Sequence, residues 1–596
     1  MEKNLILIDP AKEAISAAIY KALCKVDKPE SSIIPSPKEL YTIIEKPPEA
    51  KMGDYAFPCF SFAKILRKNP NLIANSLKDL IDKENKDSWL SSCKVLGAFL
   101  NFHTDKAYLA EHVFSKILEK SLAKEFRENQ NNFETSIMIE FSQPNTHKEF
   151  HVGHGRNVCL GDSISRLLKH VGYKVTPVNY IGDEGTHVAK CLWQIKKKNE
   201  NPPKENYVRW CGKKYVEANE ILNEANATDK EKFTKEISSI LNNLEKKSGD
   251  DYQLWQETRK HCLTDFNRIY DWLDISFDHF FYESELTEDS QKIVDEYIKK
   301  GLFKESDGAY GIDMDSDKLG YFMVRKSDGT SLYITKDLAL ARKKFEQYNI
   351  SKSIYVVGSE QELHFKQLFK ALNLMGFKQA KDCYHLSYGH VVRPEGKMSS
   401  RKGNSFTFND LMDILLEKIQ QRLDKYKETW SEEKLKDTAH KLAVGSIKYG
   451  MLSTDPQRQI IFDPDAWTSF EGNSGPYLMY SYARSQSILE KGHWSHENDL
   501  DKLGLYINDP VEHELLRYFY DLNEVILQAS KVYKPSFLAH HLYNMCKTFN
   551  KFYAHIPILK AGEKKEKTAR LALVKTFSVC LHHGLNLLGI TPPEKM

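Results

Sequence analysis

No C-x-x-C pair occurs among the ten cysteines, which stand at 24, 59, 93, 159, 191, 211, 262, 383, 546 and 580. That spacing offers neither a zinc site nor a disulfide framework, and a reducing, cytoplasmic compartment is expected. No apolar run approaches about 18 residues, so no membrane span is expected. The apolar stretch Leu5–Ile8 is too short for the core of a signal peptide. An excess of one charge is missing too: 85 Lys and Arg face 82 Asp and Glu, a net +3. That balance does not advertise a nucleic-acid binder, and it leaves the question to how charge is distributed. G-x-x-x-x-G-K-[ST] and H-E-x-x-H are both absent, which removes the P-loop and the common zinc-hydrolase helix. Asp313-x-Asp315-x-Asp317 opens like a calcium loop but has Lys318 and Val324 where Gly and Glu are needed. His540-His541 and His582-His583 have no second ligand pair and read as surface or packing residues. No structural metal is expected. What remains is an ordinary globular composition, 41% hydrophobic and 28% charged over 596 residues, enough for three or four domains.

The first unit is mixed. Ala11–Leu23 is predicted helical, and prolines 29, 35, 37, 47 and 48 then interrupt regular structure. A helix over Phe60–Arg67, a strand over Leu96–Phe102 and a helix over Ala107–Leu122 follow, with Glu125–Glu134 as a polar linker. The texture changes at Ser136. Ile137-Met138-Ile139 is a continuous apolar run suited to a buried parallel strand. Leu160, Ile164, Leu167, Leu168 and Val171 then recur at helical spacing before a second strand, Val175–Tyr180. This β-α-β unit starts a doubly wound sheet. Residues 190–290 read as a polar helical insertion, and Ala309–Ile334 as a β-meander turning at Asp328-Gly329. A strand at Ile354–Val357, a helix over Glu360–Met375 and a strand over Tyr384–Val392 resume the pattern. The end is a helical bundle, with Leu538, Leu542, Met545, Phe549 and Phe552 on one stripe and Leu571, Val574, Leu581, Leu585 and Leu588 on another; Lys560–Lys567 reads as a charged loop between them.

Two motifs carry chemistry. His151-Val152-Gly153-His154 opens the long helix after the first strand of the sheet. A helix start offers free N–H groups and a positive dipole end to a phosphate. Gly153 permits close approach, and two imidazoles three residues apart share a helical face. Gly396-Lys397-Met398-Ser399-Ser400-Arg401-Lys402-Gly403-Asn404 is a glycine-bounded basic loop whose lysines and hydroxyls suit a polyphosphate.

Together, on either side of an insertion, the motifs resemble the HIGH and KMSKS elements of a class I aminoacyl-tRNA synthetase. Glu140-Phe141-Ser142-Gln143-Pro144-Asn145, Ser327–Asp337, Tyr355–Phe365, the early Gly53-Asp54-Tyr55 and the ending Leu571–Met596 are similar to arginyl-tRNA synthetases, so the resemblance spans the chain. It implies a multidomain α/β protein: an α+β tRNA-contacting domain over 1–124, a class I Rossmann-like doubly wound parallel sheet domain over 125–465, and an all-α anticodon-binding domain over 466–596.

By the same resemblance, Glu140, Asn145, Tyr333, Asp337 and Gln361 take arginine, with Asp337 foremost for the guanidinium. Val152, Gly153 and Met398 border ATP, whose Mg²⁺ travels with it, while Gly182, Asp183, Gly358 and Glu360 stand at strand ends, where the crevice rule puts neighbours of the nucleoside. His151, His154, Lys148, Lys397 and Ser399 act on the phosphates. Lys148 and Lys397 are both present, and either could neutralise the charge at the α-phosphate. Read from the residues alone, Asp337 is rather a helix cap before Leu338–Ala341. Tyr477, Tyr480 and Tyr482, followed by Arg484, form an aromatic-basic cluster that could face RNA or serve as bundle core. The resemblance sets Tyr477, Tyr480 and Met596 near the anticodon of tRNA(Arg), and the cluster adds Arg484 to the tRNA-binding set.

The implied reaction is arginine–tRNA ligation through an arginyl-adenylate, with activation waiting for tRNA and a monomer as the default state. Three rivals remain. Two pocket carboxylates argue against a synthetase for an apolar amino acid. Intact HxGH and KMSSR residues argue against a non-catalytic RNA-binding relative. A small-molecule adenylyltransferase would leave the helical tail without a purpose.

Overall fold

The computed structural model describes residues 9–27, 29, 33–49, 52–84, 89–118, 134–204, 206–326, 333–392, 406–495 and 500–596. In the N-terminal unit, strands β1 (Tyr55–Pro58), β2 (Leu90–Leu96) and β3 (Phe99–Thr104) form an antiparallel sheet in the order β1-β3-β2. The helices Pro10–Lys25, Pro37–Ile43, Pro70–Glu84 and Lys106–Leu118 accompany it. The strand expected over Leu96–Phe102 is in fact a hairpin corner: Gly97 adopts φ 59° and separates β2 from β3. Positive φ costs glycine no Cβ clash, so the turn sits there. The linker expected over Glu125–Glu134 lies almost wholly outside the described residues.

The central unit is built on β4 (Ser136–Glu140), β5 (Lys174–Ile181), β6 (His279–Tyr282), β10 (Lys352–Gly358) and β11 (Cys383–Tyr388). Between β6 and β10 runs a small antiparallel sheet of β7 (Lys304–Ser306), β8 (Ala309–Asp313) and β9 (Tyr321–Arg325). The main sheet is parallel throughout, in the order β11-β10-β4-β5-β6. Successive strands run outward from β4 on one side and then restart at β10 on the other. The order therefore reverses between β4 and β10, and a crevice opens at their carboxyl ends. Alternation along β4 decides what lies on each face. Ile137 and Ile139 pack toward the Val152–His170 helix, while Met138 and Glu140 face the Tyr333–Tyr348 helix. Gly161 lets the first helix come close, since a Cβ there would overlap the Phe141 ring.

Three expectations are corrected. The span 190–290 is not all helix: four helices, Thr186–Lys198, Tyr207–Glu224, Ala227–Glu245 and Gly249–Trp272, are followed by β6, an edge strand of the sheet itself. The meander ends at Arg325, and Tyr333-Ile334 begin a helix instead; the turn expected at Asp328-Gly329 lies outside the described residues. The strand expected over Tyr384–Val392 is broken at Gly389-His390. The backbone there bends to receive Arg156, whose guanidinium donates to Gly389 O at 2.5 Å and Pro456 O at 3.0 Å. Past the break, β12 (Val391–Val392) pairs with β13 (Ile460–Ile461).

Four long helices, Gly475–Gly492, Pro510–Lys531, Ser536–His555 and Lys564–Leu587, make the C-terminal bundle. Leu538, Leu542, Met545, Phe549 and Phe552 are all fully buried, and Phe549 stacks on Phe577 at 3.7 Å. Lys564–Lys567 belongs to the last helix, not to a loop. The bundle is fastened on both sides. Ser163 Oγ donates to Leu587 O at 3.0 Å, and Lys448 Nζ to Gly589 O at 2.7 Å. Toward the N-terminal unit, Arg517 pairs with Asp54 at 2.9 Å and Lys46 pairs with Asp521. All ten cysteines are free thiols. No helix among the described residues is long and apolar enough to cross a membrane.

Candidate active site

The loop from Phe141 to Phe150 leaves the end of β4 and delivers the His151 helix. It is contorted: Ser142, Gln143 and His147 adopt φ of 79°, 46° and 62°. Non-glycine residues hold such angles only where surroundings fix them, and here they do. The backbone N–H of Ser142 donates to Asn157 Oδ1 at 2.6 Å and that of Gln143 to Asn179 Oδ1 at 3.1 Å. His147 lies fully buried, with Nε2 2.7 Å from Thr258 Oγ1 and its N–H on Cys262 Sγ at 3.3 Å. Tyr270 meets Ser142 Oγ at 2.7 Å. Thr258, Cys262 and Tyr270 all come from the Gly249–Trp272 helix. The inserted helices thus buttress the loop that positions the motif.

His151 and His154 form an unusual helix cap. The His154 N–H donates to His151 Nδ1 at 3.4 Å, and the His151 N–H to His154 Nδ1 at 3.2 Å. The rings stack with centroids 3.7 Å apart. A backbone N–H can only donate, so both Nδ1 atoms are acceptors. In the neutral rings the protons therefore sit on Nε2, pointing two N–H donors away from the cap. Neutrality follows from the surroundings. Burial first, then Lys148 and His390, bring His151 down to about 4. Burial, His151 and Lys148 hold His154 well below the ordinary histidine value. Lys148 rests over the Tyr215 ring at 5.1 Å. A Cβ on Gly153 would stand 2.9 Å from the His151 ring, so only glycine leaves the imidazole in place. Val152 is buried, its side chain part of the hydrophobic core.

Lys397, Met398 and Ser399 lie outside the described residues. The chain entering and leaving that stretch is placed beside the histidines. Thr407 bridges to His151, Phe408 N donates to Phe150 O at 2.8 Å, and Tyr388 OH to Gly153 O at 3.4 Å.

Around the crevice the expected residues have distinct fates. Asp337 sits in the second turn of the Tyr333–Tyr348 helix, so it is not a cap. Its Oδ2 is 2.7 Å from His364 Nε2. The side chain of Tyr333 is not among those described. Glu140 is buried, but it is not an open charge. Lys344, also fully buried, pairs with Oε2, and Gln143 Nε2 donates to Oε1 at 2.9 Å. Lys344 further lies over the Tyr355 ring at 3.9 Å. Removing it by Lys344→Ala leaves a buried carboxylate uncompensated. A loss of roughly 3–5 kcal/mol in unfolding free energy is expected, measurable by urea denaturation.

Asp183 is fully buried and closed by protein donors. It takes Arg259 Nε at 2.7 Å, Ser284 N at 2.9 Å and Ser284 Oγ at 2.8 Å. Asp183, expected beside the nucleoside, also ties the end of β5 to the chain that follows β6. Asn145 and Gly182 are paired across the loop, Thr146 N donating to Gly182 O at 2.9 Å and Gly182 N to Pro144 O at 3.1 Å. Gly358 ends β10, where a Cβ would strike the Glu360 carboxylate; Glu360 is exposed, 3.7 Å from His390 Nε2. Gln361 is half-buried at the mouth, just before the Glu362–Leu374 helix.

Sequence reading missed Lys344, His364 and Glu283. Lys344 lies two turns along the helix from Asp337, a spacing that puts both on one face. His364 falls inside the Tyr355–Phe365 stretch already singled out. Glu283 had no local signal; only the arrival of β6 beside β5 brings it to Gly182.

In the bundle, Tyr477, Tyr480 and Arg484 share one patch. Asn550 joins them, donating to Tyr477 OH at 3.0 Å and accepting from Arg484 at 2.5 Å. The Arg484 guanidinium covers the Tyr480 ring at 4.7 Å and the half-exposed Tyr553 ring at 5.1 Å. Tyr482 does not belong with them: it is buried against His582. Met596 is half-buried against the main core.

Comparison with known proteins follows this geometry. Three family models match the chain: "tRNA synthetases class I (R), catalytic domain" over residues 114–464, "DALR anticodon binding domain" over 478–596, and "Arginyl tRNA synthetase N terminal domain" over 10–104. The arginine–tRNA ligase of Bdellovibrio bacteriovorus is 39% identical over 564 residues, taking in 94% of this chain and 95% of its own length. That of Halothermothrix orenii is 35% identical over 565 residues, with 94% and 96% covered. Among solved structures, the Thermus thermophilus arginyl-tRNA synthetase superposes with a TM-score of 0.77 at 25% identity, over 98% of this chain and 100% of that one. The Plasmodium falciparum arginyl-tRNA synthetase shares the fold, with a TM-score of 0.76 at 21% identity over 99% of this chain and 100% of that one.

Proposed function

The chain belongs to the arginyl-tRNA synthetase family of class I aminoacyl-tRNA synthetases, and on that premise we propose that it activates L-arginine with ATP and transfers it to the 3′ end of tRNA(Arg). The observation that carries the reading is the crevice at the β4/β10 reversal. Neutral histidines with outward Nε2–H donors stand on one side of it and the Asp337 carboxylate on the other. Arginine's carboxylate attacks the α-phosphate of Mg²⁺-bound ATP, and pyrophosphate leaves. The protein's task is to align two anions and to stabilise the charge that develops between them. His151 and His154 donate to the phosphates over the bare Gly153, and Lys148 adds positive charge from the loop. Lys397 and Ser399, carried by resemblance, complete the cradle with Met398. Gly182, Gly358 and Glu360 border the nucleoside. Asp337, aligned by His364, receives the guanidinium with Tyr333. Glu140, its charge offset by Lys344, shapes that end, and Asn145 and Gln361 hold the α-groups. The terminal ribose hydroxyl of the tRNA then takes the arginyl group, and activation waits for that tRNA.

The Tyr477–Tyr480–Arg484 patch suits unpaired bases, which stack on aromatic faces and guanidinium planes. We assign it, with Met596, to the anticodon, and the N-terminal unit to the body of the tRNA. Tyr480→Ala is expected to raise KM for tRNA roughly 10- to 100-fold, the worth of one stacked base. KM for arginine should stay where it is. The assignment of activity itself is tested by charging a total tRNA pool with labelled arginine. Label retained in acid-precipitable, ribonuclease-sensitive material is expected, and incorporation of any other amino acid in its place would refute it.

A further inference from the structure

Arg156 stands in the second turn of the helix that His151 opens, and it is fully buried. No carboxylate pairs with its guanidinium among the described residues. It donates to main-chain carbonyls instead. Nη1 reaches Gly389 O at 2.5 Å, with His390 O at the limit, 3.5 Å; Nη2 reaches Pro456 O at 3.0 Å and Asp455 O at 3.2 Å. Taking a cation out of water with no anion to meet it is costly. A charge kept at such a place has its reason in what it holds.

What it holds is a joint between two segments far apart in sequence. One is Gly389-His390, the break between β11 and β12. The other is the Asp455-Pro456 turn, which follows the Glu432–Leu452 helix and leads to β13. The two are laced together: Gly389 N donates to Pro456 O at 2.9 Å, Ile460 N to His390 O at 2.9 Å and Phe462 N to Val392 O at 2.8 Å. They fit closely, since a Cβ on Gly389 would stand 2.7 Å from Arg458 O. From Val392 the chain runs on toward Lys397 and Ser399. The bundle bears on the same turn through Lys534, which pairs with Asp455 at 2.7 Å. The helix itself has other anchors further along, at Asp162 with Lys448 and at Ser163 with Leu587. Loss of Arg156 would therefore leave the helix seated and release the joint. Gly389 O accepts from no other group among the described residues. A buried carbonyl left without a donor drives its segment to shift until it finds one.

We propose that Arg156 is a positioning residue for adenylate formation: it fixes Gly389–Val392, the root of the chain that carries Lys397 and Ser399, against the helix that carries His151 and His154. This rests on the reading of the protein as an adenylate-forming synthetase. Arg156 acts through main chain and touches no substrate. Activation draws phosphate ligands from both sides of the joint, and displacement of such groups by about 1 Å can cost about 100-fold in rate. Only a planar fork serves two segments at once; a lysine is a single point donor.

The test separates the two chemical steps. ATP–pyrophosphate exchange in the presence of tRNA reads activation. A single turnover from synthetic arginyl-adenylate to tRNA reads transfer, in which no pyrophosphate takes part. Wild-type protein is compared with Arg156→Lys, which keeps the charge but not the fork, and with Gly389→Ala, which keeps Arg156 and pushes the two segments apart. Arg156→Lys is expected to lower kcat of exchange roughly 10- to 100-fold. KM for arginine and the rate of transfer should stay where they are, since the lost interaction serves only the activating transition state. Gly389→Ala should give the same split to a smaller extent. Equal losses in both steps, following the folded fraction, would make Arg156 a packing residue and overturn the proposal. Full exchange by folded Arg156→Lys would also overturn it. If Arg156→Lys fails to fold, Gly389→Ala decides alone, and loss of the fold in both variants would make the joint structural only and overturn the proposal as well. Activation of a different amino acid by the wild type would remove the arginine reading; the contrast between the two steps, measured with that amino acid, would still decide the role of Arg156.

Discussion

Replacing His154 by alanine is expected to lower arginine-dependent ATP–pyrophosphate exchange about 100- to 1,000-fold, the cost of one preorganised donor to developing charge. The effect should fall on kcat more than on the KM for ATP, because the donor matters most as charge builds on the phosphates. The geometry supplies a control. His154 Nδ1 also accepts the His151 N–H at 3.2 Å, so alanine removes part of a helix cap as well, worth about 1 kcal/mol. That portion appears as a small drop in melting midpoint. His154→Gln, which keeps a donor and an acceptor, should recover part of the rate. A loss of exchange that tracks only the loss of stability would mean that the ring is a cap and nothing more.

The second large effect is expected at Asp337. On the proposed reading, with Lys344 already offsetting Glu140, the negative charge offered to a guanidinium comes chiefly from Asp337. Its Oδ2 is fixed by His364 at 2.7 Å, which leaves Oδ1 for substrate. Asp337→Asn preserves shape but removes the charge. Breaking one side of a buried, hydrogen-bonded charge pair costs about 2–5 kcal/mol, or roughly 30- to several-thousand-fold. The loss should appear in kcat/KM for arginine, with KM for ATP unchanged, and steady-state charging kinetics would separate the two. Equal losses for both substrates would move Asp337 from the arginine pocket into the general scaffold.

What could be read beforehand followed local pattern. Ile137–Ile139 announced a strand buried on both faces, and the period from Leu160 to Val171 announced its helix, because burial there is continuous or regularly spaced. The His-x-Gly-His cap and Asp337 were visible for the same reason: each belongs to a contiguous motif. What escaped was decided by distance along the chain. The Lys344–Glu140 pair joins residues 204 positions apart, and Glu283 reaches Gly182 only through the pairing of β6 with β5. His279-Phe280-Phe281-Tyr282 escaped because it is short and sits directly behind a helix at a sheet edge. Tyr333-Ile334 misled through their own β-preference, which tertiary context overrode by starting a helix there. The partner of Asp183 escaped for the same reason of distance: the Gly249–Trp272 helix, about 75 residues further on, brings Arg259 to its carboxylate at 2.7 Å.

The central claim is that arginine and tRNA act together at the β4/β10 crevice. It is tested most directly by ATP–pyrophosphate exchange with each amino acid in turn, with and without total tRNA, beside the His154→Ala variant. The account predicts exchange with arginine alone among the amino acids, dependent on tRNA and lost in the variant. Exchange driven by a different amino acid, or none with any in folded protein, would contradict it.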